Sequence, residues 1–543
     1  MTNLFRRKFV KMGLLGAAGA AGPCTMLAAT SDVPEKISFS DLYFNVRKFG
    51  AVGDGLQIDS IAINKAIAAA SGVGGGTVYF PAGTYTSYSI RLQSNIRVLL
   101  DLGATIVSAQ VPVDGVISGG YDAAEPNGPW ETYQDYGHNH WHNSLIWGEG
   151  LHDVVIEGYG LIWGKHLSRG GKGTGRHNEG LPKAESPGVA NKAIALKNCH
   201  NVLLRDFSLL EGGHVGVLAT AVDNLTVDNL KIDTNRDAMN IDCCRNVRVS
   251  NCSVNSPWDD GICLKSSFSL GYARTTENVT ITNCYLTGMY EVGSLLDGSL
   301  RKLVLTASQV PTGRIKLGTS SAGGFLNIAI SNCVFDTCRG LSIENVDGGR
   351  LEDVAITGVT MRNITTTPLF LRLGSRLAVP QGATVGTLKR IRFSNIVSYQ
   401  AAATYAPFVS GIPNHPIEDV QFSDVYLHHT GGGSPEQTKR MPPELETAYP
   451  EPSRFGPLPA HGFFVRHVHN IDFDHVEIAY DARDARYAFW LEDVDGASFY
   501  RIKIPSQTAA PVFSLIETKN STIAASRGFR DAPLQADGHM VFP

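Results

Sequence analysis

A short pattern recurs along this chain and constrains its fold more than any other feature. Two aliphatic residues separated by one position are followed, after one more position, by Asn, Gly or Asp and then by Cys or an aliphatic residue. Copies begin at Val202, Leu225, Val247, Val279, Ile328, Val354, Ile391, Val420 and Ile471. The shortest spacings between copies are 22 and 23 residues, and insertions lengthen the others. A period of this length is typical of the coils of a solenoid.

Each copy alternates apolar and polar residues, so it predicts a short strand with one buried and one exposed face. Stacked coils pair each strand with those of the neighbouring coils and bury a continuous apolar core. A leucine-rich repeat has a similar period, but its leucine pattern and helix signals are missing, and a propeller needs units about twice as long. The sequence therefore predicts an all-β parallel β-helix over residues 40–543.

A helix is predicted near the N-terminal end of the solenoid. Asp59 and Ser60 are good capping residues, and aliphatic residues recur at helical spacing through Ile61–Ala70. Three glycines, 74–76, then end the helix before a strand that begins with Thr77–Phe80. We expect this helix to cover the open apolar end of the solenoid.

The first 29 residues have the composition of an export signal. Arg6 and Arg7 precede Phe9 and Lys11, and an apolar stretch rich in small residues follows at 12–22. The arginine pair is typical of the twin-arginine route, and an ordinary secretory signal is the alternative. The apolar stretch is too short for a membrane span. We predict a signal peptide over 1–29 and a periplasmic or extracellular protein.

Loss of this segment would remove four basic residues and change the net charge from −4 to −8. A net acidic protein is not built for bulk attraction to nucleic acid or to an anionic membrane surface. We therefore expect no nucleic acid partner and no membrane span, and a monomer. Any polyanionic substrate must be held by local Lys and Arg side chains.

Eight of the nine cysteines follow the predicted signal segment. Cys199, Cys252, Cys284 and Cys333 occupy the same place in the repeat, which favours stacked thiols in the core. Their even number in an exported protein leaves disulfides open as the alternative.

Three carboxylates fall one period apart. Asp237 follows Asn235 in one coil, and Asp259 and Asp260 lie in the next, with 22 residues between Asp237 and Asp259. Because residues one period apart stack at roughly 5 Å, the three side chains should converge on the solvent-facing side. Like charges this close raise at least one pKa. A carboxylate cluster with divided pKa values supplies the acid and the base of glycoside hydrolysis.

Two cations lie further along the chain. Arg314 and Lys316 alternate in a predicted strand and so share one face. Two adjacent cations near a carboxylate cluster suit a substrate that carries its own carboxylate, because Arg can grip it through two hydrogen bonds.

Together these pieces resemble glycoside hydrolase family 28, the polygalacturonase or pectinase family of right-handed parallel β-helices. Its motifs are Asn-Thr-Asp, Asp-Asp, Gly-His-Gly and Arg-Ile-Lys. Asn235 and Asp237 match the first motif with Arg236 in place of Thr, and the second and fourth fall on Asp259-Asp260 and on Arg314 and Lys316. The N-terminal run 74–85 also resembles this family. The third motif departs, because Gly288-Met289-Tyr290-Glu291 lacks the histidine, as rhamnogalacturonan-active relatives do.

The resemblance implies an inverting hydrolase that cleaves bonds next to galacturonic acid in polygalacturonan or rhamnogalacturonan. Asp259 would be the general acid, and Asp237 and Asp260 would activate water. Arg314 and Lys316 would hold the galacturonate carboxylate. Asn235 would hydrogen-bond the substrate, and Glu291 is a candidate for the function of the missing histidine. No cofactor or metal is required.

Two rival functions share this fold: a polysaccharide lyase that uses calcium and a basic residue, and a non-catalytic glycan-binding β-helix.

The segment 430–460 breaks the repeat and is rich in Pro, Glu and Gly. It predicts a long insertion loop that lines the binding face and slightly favours cleavage from the chain end.

His138, His140 and His142 would share a face of a strand, where sugar-binding or structural roles are favoured over a metal site.

Overall fold

The computed structural model describes residues 43–111, 120–169, 182–306, 309–505 and 511–542. The predicted signal segment, residues 1–29, and Cys24 lie outside these ranges. Within the described residues, 35 strands form one sheet that winds as a parallel β-helix. The predicted fold class is confirmed.

Successive coils stack into three faces. The first face contains Ile90–Arg91, Ile146–Glu149, Lys192–Lys197, Val215–Thr220, Asp237–Asp242, Ile262–Ser266, Ile315–Ser321, Leu341–Asn345, Leu369–Leu373 and Phe408–Ser410. The second contains Tyr43–Asn45, Gly76–Phe80, Ile96–Leu100, His152–Glu157, His200–Arg205, Asp223–Asp228, Arg245–Ser250, Thr276–Thr282 and Phe325–Ser331. The third contains Asp54–Ile58, Gly83–Ser87, Ala104–Ser108, Leu161–Trp163, Ser208–Leu210, Lys231–Asp233, Ser253–Asn255, Tyr285–Thr287 and Val334–Asp336.

Towards the C-terminal end the strands lengthen. Arg350–Arg362 pairs with strands of both the second and the third face. It is followed in the same stack by Thr387–Ala401, Ile417–Gly431, Ala460–Ala482, Tyr487–Tyr500 and Phe513–Ala524. The last strand, Ala532–Phe542, pairs antiparallel with Phe513–Ala524 and so closes the parallel series.

The core follows from the alternation in each repeat. Val247 and Val249 are buried, whereas Arg248 between them is exposed. Towards the C-terminal end the buried positions carry stacked rings, with Phe393 and Phe422 4.8 Å apart and Phe473 and Phe499 4.8 Å apart between ring centroids. Offset ring stacks of this kind add to the burial of apolar surface.

Asparagines form a ladder at one corner of the helix. Asn201, Asn224, Asn246 and Asn278 have φ between 53° and 58°, the left-handed conformation that Asn tolerates better than most residues. Their side-chain amides bond from coil to coil, at 3.0 Å between Asn224 and Asn201 and 3.2 Å between Asn246 and Asn224. The ladder fixes the turn of each coil above that of the last.

The predicted N-terminal helix spans Ser60–Gly72 and packs on the first strands of the solenoid. Ile63 and Ile67 are buried, and Ile61 is exposed. Asp59 does not cap the helix with its side chain, which was the expectation. Its carboxylate instead accepts from the backbone amides of Val52 and Gly53, at 2.8 and 3.0 Å. The described residues also contain a short helix, Pro452–Phe455, and the 3-10 turns Val46–Phe49, Glu131–Tyr133, Tyr136–His138 and Pro435–Lys439.

All eight cysteines in the described residues are free and buried. The prediction of free thiols in the core is therefore correct and the disulfide alternative is wrong for these residues. Cys252, Cys284 and Cys333 each follow the second-face strand of their coil, as predicted, whereas Cys199 precedes the strand His200–Arg205 and so lies at a different place in the repeat. No helix among the described ranges has the length and apolar character needed to cross a membrane.

Four long connections leave the coils between the third and the first face, and we call this edge the loop corner. They join Ser108 to Ile146, Trp163 to Lys192, Thr287 to Ile315 and Gly431 to Ala460, and we refer only to their described residues. The predicted insertion 430–460 thus begins inside the strand Ile417–Gly431 and contains the short helix Pro452–Phe455. Side chains that lie just before a first-face strand meet these connections.

Candidate functional site

The three aspartates meet at the loop corner. Asp237 is the first residue of the strand Asp237–Asp242, and Asp259 and Asp260 precede Ile262–Ser266 in the next coil. One carboxylate oxygen from each lies within 4.8 Å of the others. The structure therefore brings together the three carboxylates that the period predicts.

The register differs by one residue from the expectation. Met239 pairs with Ile262, and the amide of Ala238 donates to the carbonyl of Asp260 at 3.0 Å. Asp260, not Asp259, is therefore the neighbour of Asp237 across the coils, because this pair of coils has a period of 23 residues. Asp259 reaches the cluster from the turn that precedes the strand.

The aspartates were predicted to face solvent, but two of the three are buried. Asp237 and Asp260 are only 4% and 5% exposed, whereas the side chain of Asp259 is 26% exposed. The chain segments of the loop corner account for this difference, since their side chains contact the cluster from several directions. Asp259 is the carboxylate most open to an incoming substrate.

The surroundings separate the three pKa values. Burial, and then the negative charge of Asp237, raise the pKa of Asp259 to about 7, although Arg236 lies 3.0 Å from its carboxylate. Burial would also raise the pKa of Asp237, but the hydrogen bond with His138 and the charge of Lys265 outweigh it and hold that pKa well below the usual range. Below about pH 7 these two residues therefore offer a protonated carboxyl group, Asp259, and an ionised one, Asp237.

Asp260 is ionised for a different reason. Burial would raise its pKa, but the charges of Arg314 and Lys316 outweigh burial and lower it. Nε of Arg314 donates to Oδ1 of Asp260 at 2.8 Å, and Nζ of Lys316 lies 3.7 Å from Oδ2. The negative charge of Asp260 is thus matched within the protein.

An imidazole reaches the cluster from a part of the chain that the motif does not include. Nε2 of His138 lies 3.4 Å from Asp237, and Nδ1 lies 2.7 Å from Asp135. Asn240 donates to Asp237 at 3.0 Å from the same side. Burial would lower the pKa of His138, but the charge of Asp135 outweighs it and the pKa is raised. The sequence indicated an unusual histidine run here, but nothing in it placed His138 against Asp237.

Arg314 and Lys316 lie next to the aspartates. Gly313, with φ of 50°, precedes them, and a Cβ there would meet the carbonyl oxygen of Thr287 at 2.3 Å. This close approach turns the chain into the strand Ile315–Ser321 and requires glycine. Both cations are almost fully buried, at 3% and 1% exposed.

The insertion supplies two residues that the sequence did not single out. Glu451 lies 3.1 Å from Arg314, and the hydroxyl of Tyr449 accepts from Nζ of Lys316 at 2.8 Å. A third partner, Glu344, lies 3.5 Å from Nζ of Lys316. The segment thus lies on the site, and its contacts are with the two cations.

Of the two other predicted site residues, Asn235 lies in the same coil as Asp237, whereas Glu291 lies away from the aspartates. Asn235 is buried in the coil of Asp237, and in the amide orientation that satisfies both groups its oxygen accepts from Arg169 at 2.8 Å. Glu291 is not brought to the cluster. In the described residues its carboxylate pairs with Arg301 at 2.9 Å, with no hydrogen bond or ion pair to the aspartates. The imidazole that does contact an aspartate of the cluster is that of His138, whose Nε2 lies 3.4 Å from Asp237.

The histidine run does not share one face, because it lies in a 3-10 turn and a loop rather than in a strand. His140 stacks on Tyr136, with ring centroids 4.0 Å apart. His142 lies 2.9 Å from Glu149. The run therefore fails as a single metal site, although His138 with Asp135 and His214, and His142 with Glu125 and Glu149, each form a group with ligand atoms within 4.8 Å.

Comparisons with known proteins bear on this site. The family model described as "Rhamnogalacturonase A/epimerase, pectate lyase-like" matches residues 43–100, and "Right handed beta helix region" matches residues 215–367. A probable polygalacturonase of Vitis vinifera is 23% identical over 70% of this chain and 73% of its own length. Some shorter matches, to mannuronan C5-epimerases and a plasmin- and fibronectin-binding protein, cover 13–14% of this chain.

Two solved structures share the fold. The family 28 exopolygalacturonase of Yersinia enterocolitica has a TM-score of 0.61 and 17% identity, covering 84% of this chain and 78% of its own. The exopolygalacturonase of Thermotoga maritima has a TM-score of 0.56 and 15% identity, covering 93% and 96%. In its fold and in its matched motifs, this chain is similar to polygalacturonases of glycoside hydrolase family 28.

Proposed function

We propose that this protein hydrolyses glycosidic bonds next to galacturonic acid in pectin, with Asp259 as general acid and Asp237 as general base. One observation carries the proposal: three carboxylates lie within 4.8 Å, and the pKa of Asp259 is raised while that of Asp237 is lowered. Acid and base groups with pKa values on either side of the working pH are what glycoside hydrolysis requires.

Each aspartate has a separate role in this mechanism. Asp259, the most exposed of the three, donates its proton to the oxygen of the leaving sugar. Asp237, ionised and held by His138 and Asn240, accepts a proton from the attacking water. Asp260 is fixed by Arg314 and donates its backbone amide to Asp237 at 3.2 Å, which holds the base in place. Asn235, which Arg169 holds, is a proposed substrate contact.

The stereochemistry needs its own measurement. Inverting glycosidases usually separate their two carboxyl groups by about 6.5–9.5 Å and retaining ones by about 5–5.5 Å. The carboxylate oxygens here lie within 4.8 Å of one another, which is closer than the spacing typical of inverting enzymes. The expectation of inversion therefore rests on the family resemblance alone. The anomer formed first from a defined oligosaccharide, observed by proton NMR, distinguishes the two outcomes.

Cleavage from the chain end is favoured by the position of the insertion. Tyr449 and Glu451 cover the two cations on one side of the aspartates, and a covered subsite stops a long chain from passing through. An exo-acting enzyme releases reducing ends while the viscosity of the polymer falls slowly. A steep early fall in viscosity would instead mean internal cleavage.

A reducing-sugar assay on polygalacturonate and on rhamnogalacturonan tests the function. Wild-type protein should release reducing ends, and Asp259→Asn and Asp237→Asn should lose most of this activity. Asp537→Asn, on the exposed surface of the last strand, is the matched control and should keep it. Product that absorbs in the ultraviolet would identify a lyase. Binding without any product would identify a glycan-binding protein.

A further inference from the structure

One aspartate and two histidines meet beside Asp237, and the proposed mechanism uses only one of the three, His138. Asp135 and His138 lie in a connection of the loop corner, whereas His214 precedes the first-face strand Val215–Thr220. Nδ1 of His138 lies 2.7 Å from Oδ1 of Asp135, and Nε2 of His214 lies 3.3 Å from the same oxygen. One possible ligand atom from each residue lies within 4.8 Å of the other two.

The protein contacts of this group leave His214 without a hydrogen bond. His214 is 3% exposed, and neither of its ring nitrogens has a hydrogen-bond partner among the described residues. Buried polar groups are nearly always hydrogen-bonded, so an exception of this kind points to a missing partner. A proton between His138 and Asp135 would satisfy that pair but would leave His214 as it is. A metal ion would bond to all three side chains at once.

The local packing brings the 3-10 turn directly onto the ring of His214. A Cβ at position 137 would meet Cδ2 of His214 at 2.3 Å, so the turn can lie this close only because the residue there is glycine. The amide of Gly137 donates to Oδ1 of Asp135 at 2.9 Å and so orients this carboxylate. The ring centroids of His138 and His214 are 5.2 Å apart. The three side chains are therefore held together by the fold itself.

The spacing and the ligand types suit a divalent transition metal. Zinc binds histidine nitrogen and carboxylate oxygen at about 2.0–2.2 Å, so tetrahedral ligands lie roughly 3.3–3.5 Å apart. The contacts of 2.7 and 3.3 Å are near this spacing, and Asp135, whose side chain is 55% exposed, provides access from solvent. Two histidines with one carboxylate leave a coordination position for water. Calcium and magnesium prefer ligand sets made of oxygen atoms.

The second nitrogen of His138 has the partner that a metal-bound histidine needs. Such a histidine usually donates its other N–H to a carboxylate or a carbonyl, which fixes the tautomer and the ring orientation. Nε2 of His138 lies 3.4 Å from Oδ2 of Asp237, on the opposite edge of the ring from Asp135. An ion on Nδ1 would take the place of the proton there and leave the hydrogen on Nε2, towards Asp237. A positive charge then remains beside Asp237.

We propose that Asp135, His138 and His214 bind a divalent transition-metal ion, and that this ion fixes His138 against Asp237. The sequence alone suggested a run of three histidines, whereas the structure selects His138 and adds two partners that the run does not include. The inference does not rest on the proposed function, because the test below measures metal binding and needs no turnover.

Calorimetry and metal analysis with Zn²⁺ test the proposal. The protein is purified without a polyhistidine tag and stripped with a chelator before the titration. We expect one zinc ion per chain and a melting temperature that rises with zinc concentration. Calcium should bind at least about 100-fold more weakly, because imidazole is a poor ligand for it. Absence of zinc binding, or calcium binding of equal affinity, would overturn the proposal.

Substitutions of single ligands locate the ion. Loss of an outer partner alone weakens metal binding by about 10–100-fold, so His214→Gln and Asp135→Asn should each weaken zinc binding by at least about 100-fold. Asp135 is half-exposed, so Asp135→Asn gives an answer even if His214→Gln fails to fold. His142→Gln is the matched control, because His142 lies in the same connection but contacts Glu149. Zinc binding that is lost in His142→Gln and kept in Asp135→Asn would place the ion elsewhere and refute the site.

Two further measurements test the ligands and the effect on His138. X-ray absorption at the zinc edge should show two imidazoles and no sulfur. A sulfur ligand would mean that one of the buried cysteines holds the ion, and the proposed site would be wrong. Asp237→Asn removes the outer partner of His138 and should weaken zinc binding by about 10–100-fold. Unchanged zinc affinity in this variant would refute the coupling of the ion to Asp237.

Discussion

The backbone amide of Asp260 donates a hydrogen bond of 3.2 Å to Oδ1 of Asp237, across two adjacent coils. The proposed base is thus held by the coil that carries the proposed acid. Oδ2 of Asp237 faces the other way, towards Asn240 at 3.0 Å and His138 at 3.4 Å. Both oxygens therefore have fixed partners, and a change in either set should alter the protonation of this carboxylate.

The pH dependence should be limited on the alkaline side by Asp259. A general acid acts when protonated, and the pKa of Asp259 is about 7 because of burial and the charge of Asp237. Activity should therefore fall as the pH rises through about 7, and the acidic side should extend to low pH because the pKa of Asp237 is lowered. A profile of kcat/KM against pH checks this. If the loss of activity at alkaline pH were unchanged in Asp259→Asn, the group whose ionisation causes that loss would be a different residue.

Asp259→Asn keeps the shape of the side chain but cannot donate a proton to the glycosidic oxygen. The natural polysaccharide should be cleaved about 10²–10⁴-fold more slowly. A substrate with a good leaving group needs little protonation and should regain part of the rate. Asp237→Asn should show no such recovery, because a better leaving group does not replace the base. Near-normal turnover of the polysaccharide by Asp259→Asn would mean that the acid is a different residue.

His138→Gln should shift the acidic side of the pH profile. The hydrogen bond and charge of His138 help to lower the pKa of Asp237, so their loss raises that pKa. The base is then protonated at a higher pH, and the acidic limit should move upward while the alkaline limit changes less. His140→Gln is the matched control, because His140 lies two positions away and stacks on Tyr136 instead. Equal profiles for the two variants would give His138 only a packing role.

Lys316→Met should destabilise the protein as well as weaken binding, which changes the expectation from the motif alone. The substitution leaves Glu344 and Asp260 buried with less positive charge, a loss that typically costs about 3–5 kcal/mol. The pKa of Glu344 is already raised by burial and should rise further in the variant. A carboxyl group with a raised folded pKa favours folding at low pH, so the difference from wild type in urea unfolding should shrink as the pH falls. Lys231→Met, on the surface, should have little effect at any pH.

We also predict export through the twin-arginine route. Arg6 and Arg7 form the pair that the receptor reads, and changing both to lysine keeps the charge but removes the pair. The double variant should accumulate inside the cell, as cell fractionation would reveal. Normal periplasmic levels would favour an ordinary secretory signal.

The repeat was sufficient to predict the β-helix and the meeting of the aspartates, because stacked coils convert a period in sequence into adjacency in space. It did not predict which aspartate lies opposite Asp237, since one extra residue in the turn changes the register. Nor did it predict Glu451, whose contact with Arg314 joins residues 137 positions apart. Residues in long connections have no period, so their positions depend on tertiary packing. The contact of His138 with Asp237 and the contact of Tyr449 with Lys316 were missed for the same reason.

At the loop corner, the stability of the fold and the contacts made at the site come from different parts of the chain. The coils below it fix the aspartates, whereas the connections that leave it carry His138, Tyr449 and Glu451, which contact Asp237 and the two cations. Closing a longer loop is inexpensive, at about 0.6 kcal/mol for each doubling in length. A connection such as 432–459 can therefore be replaced by one of different length or sequence at little cost in stability. The strands that carry the aspartates would stay unchanged.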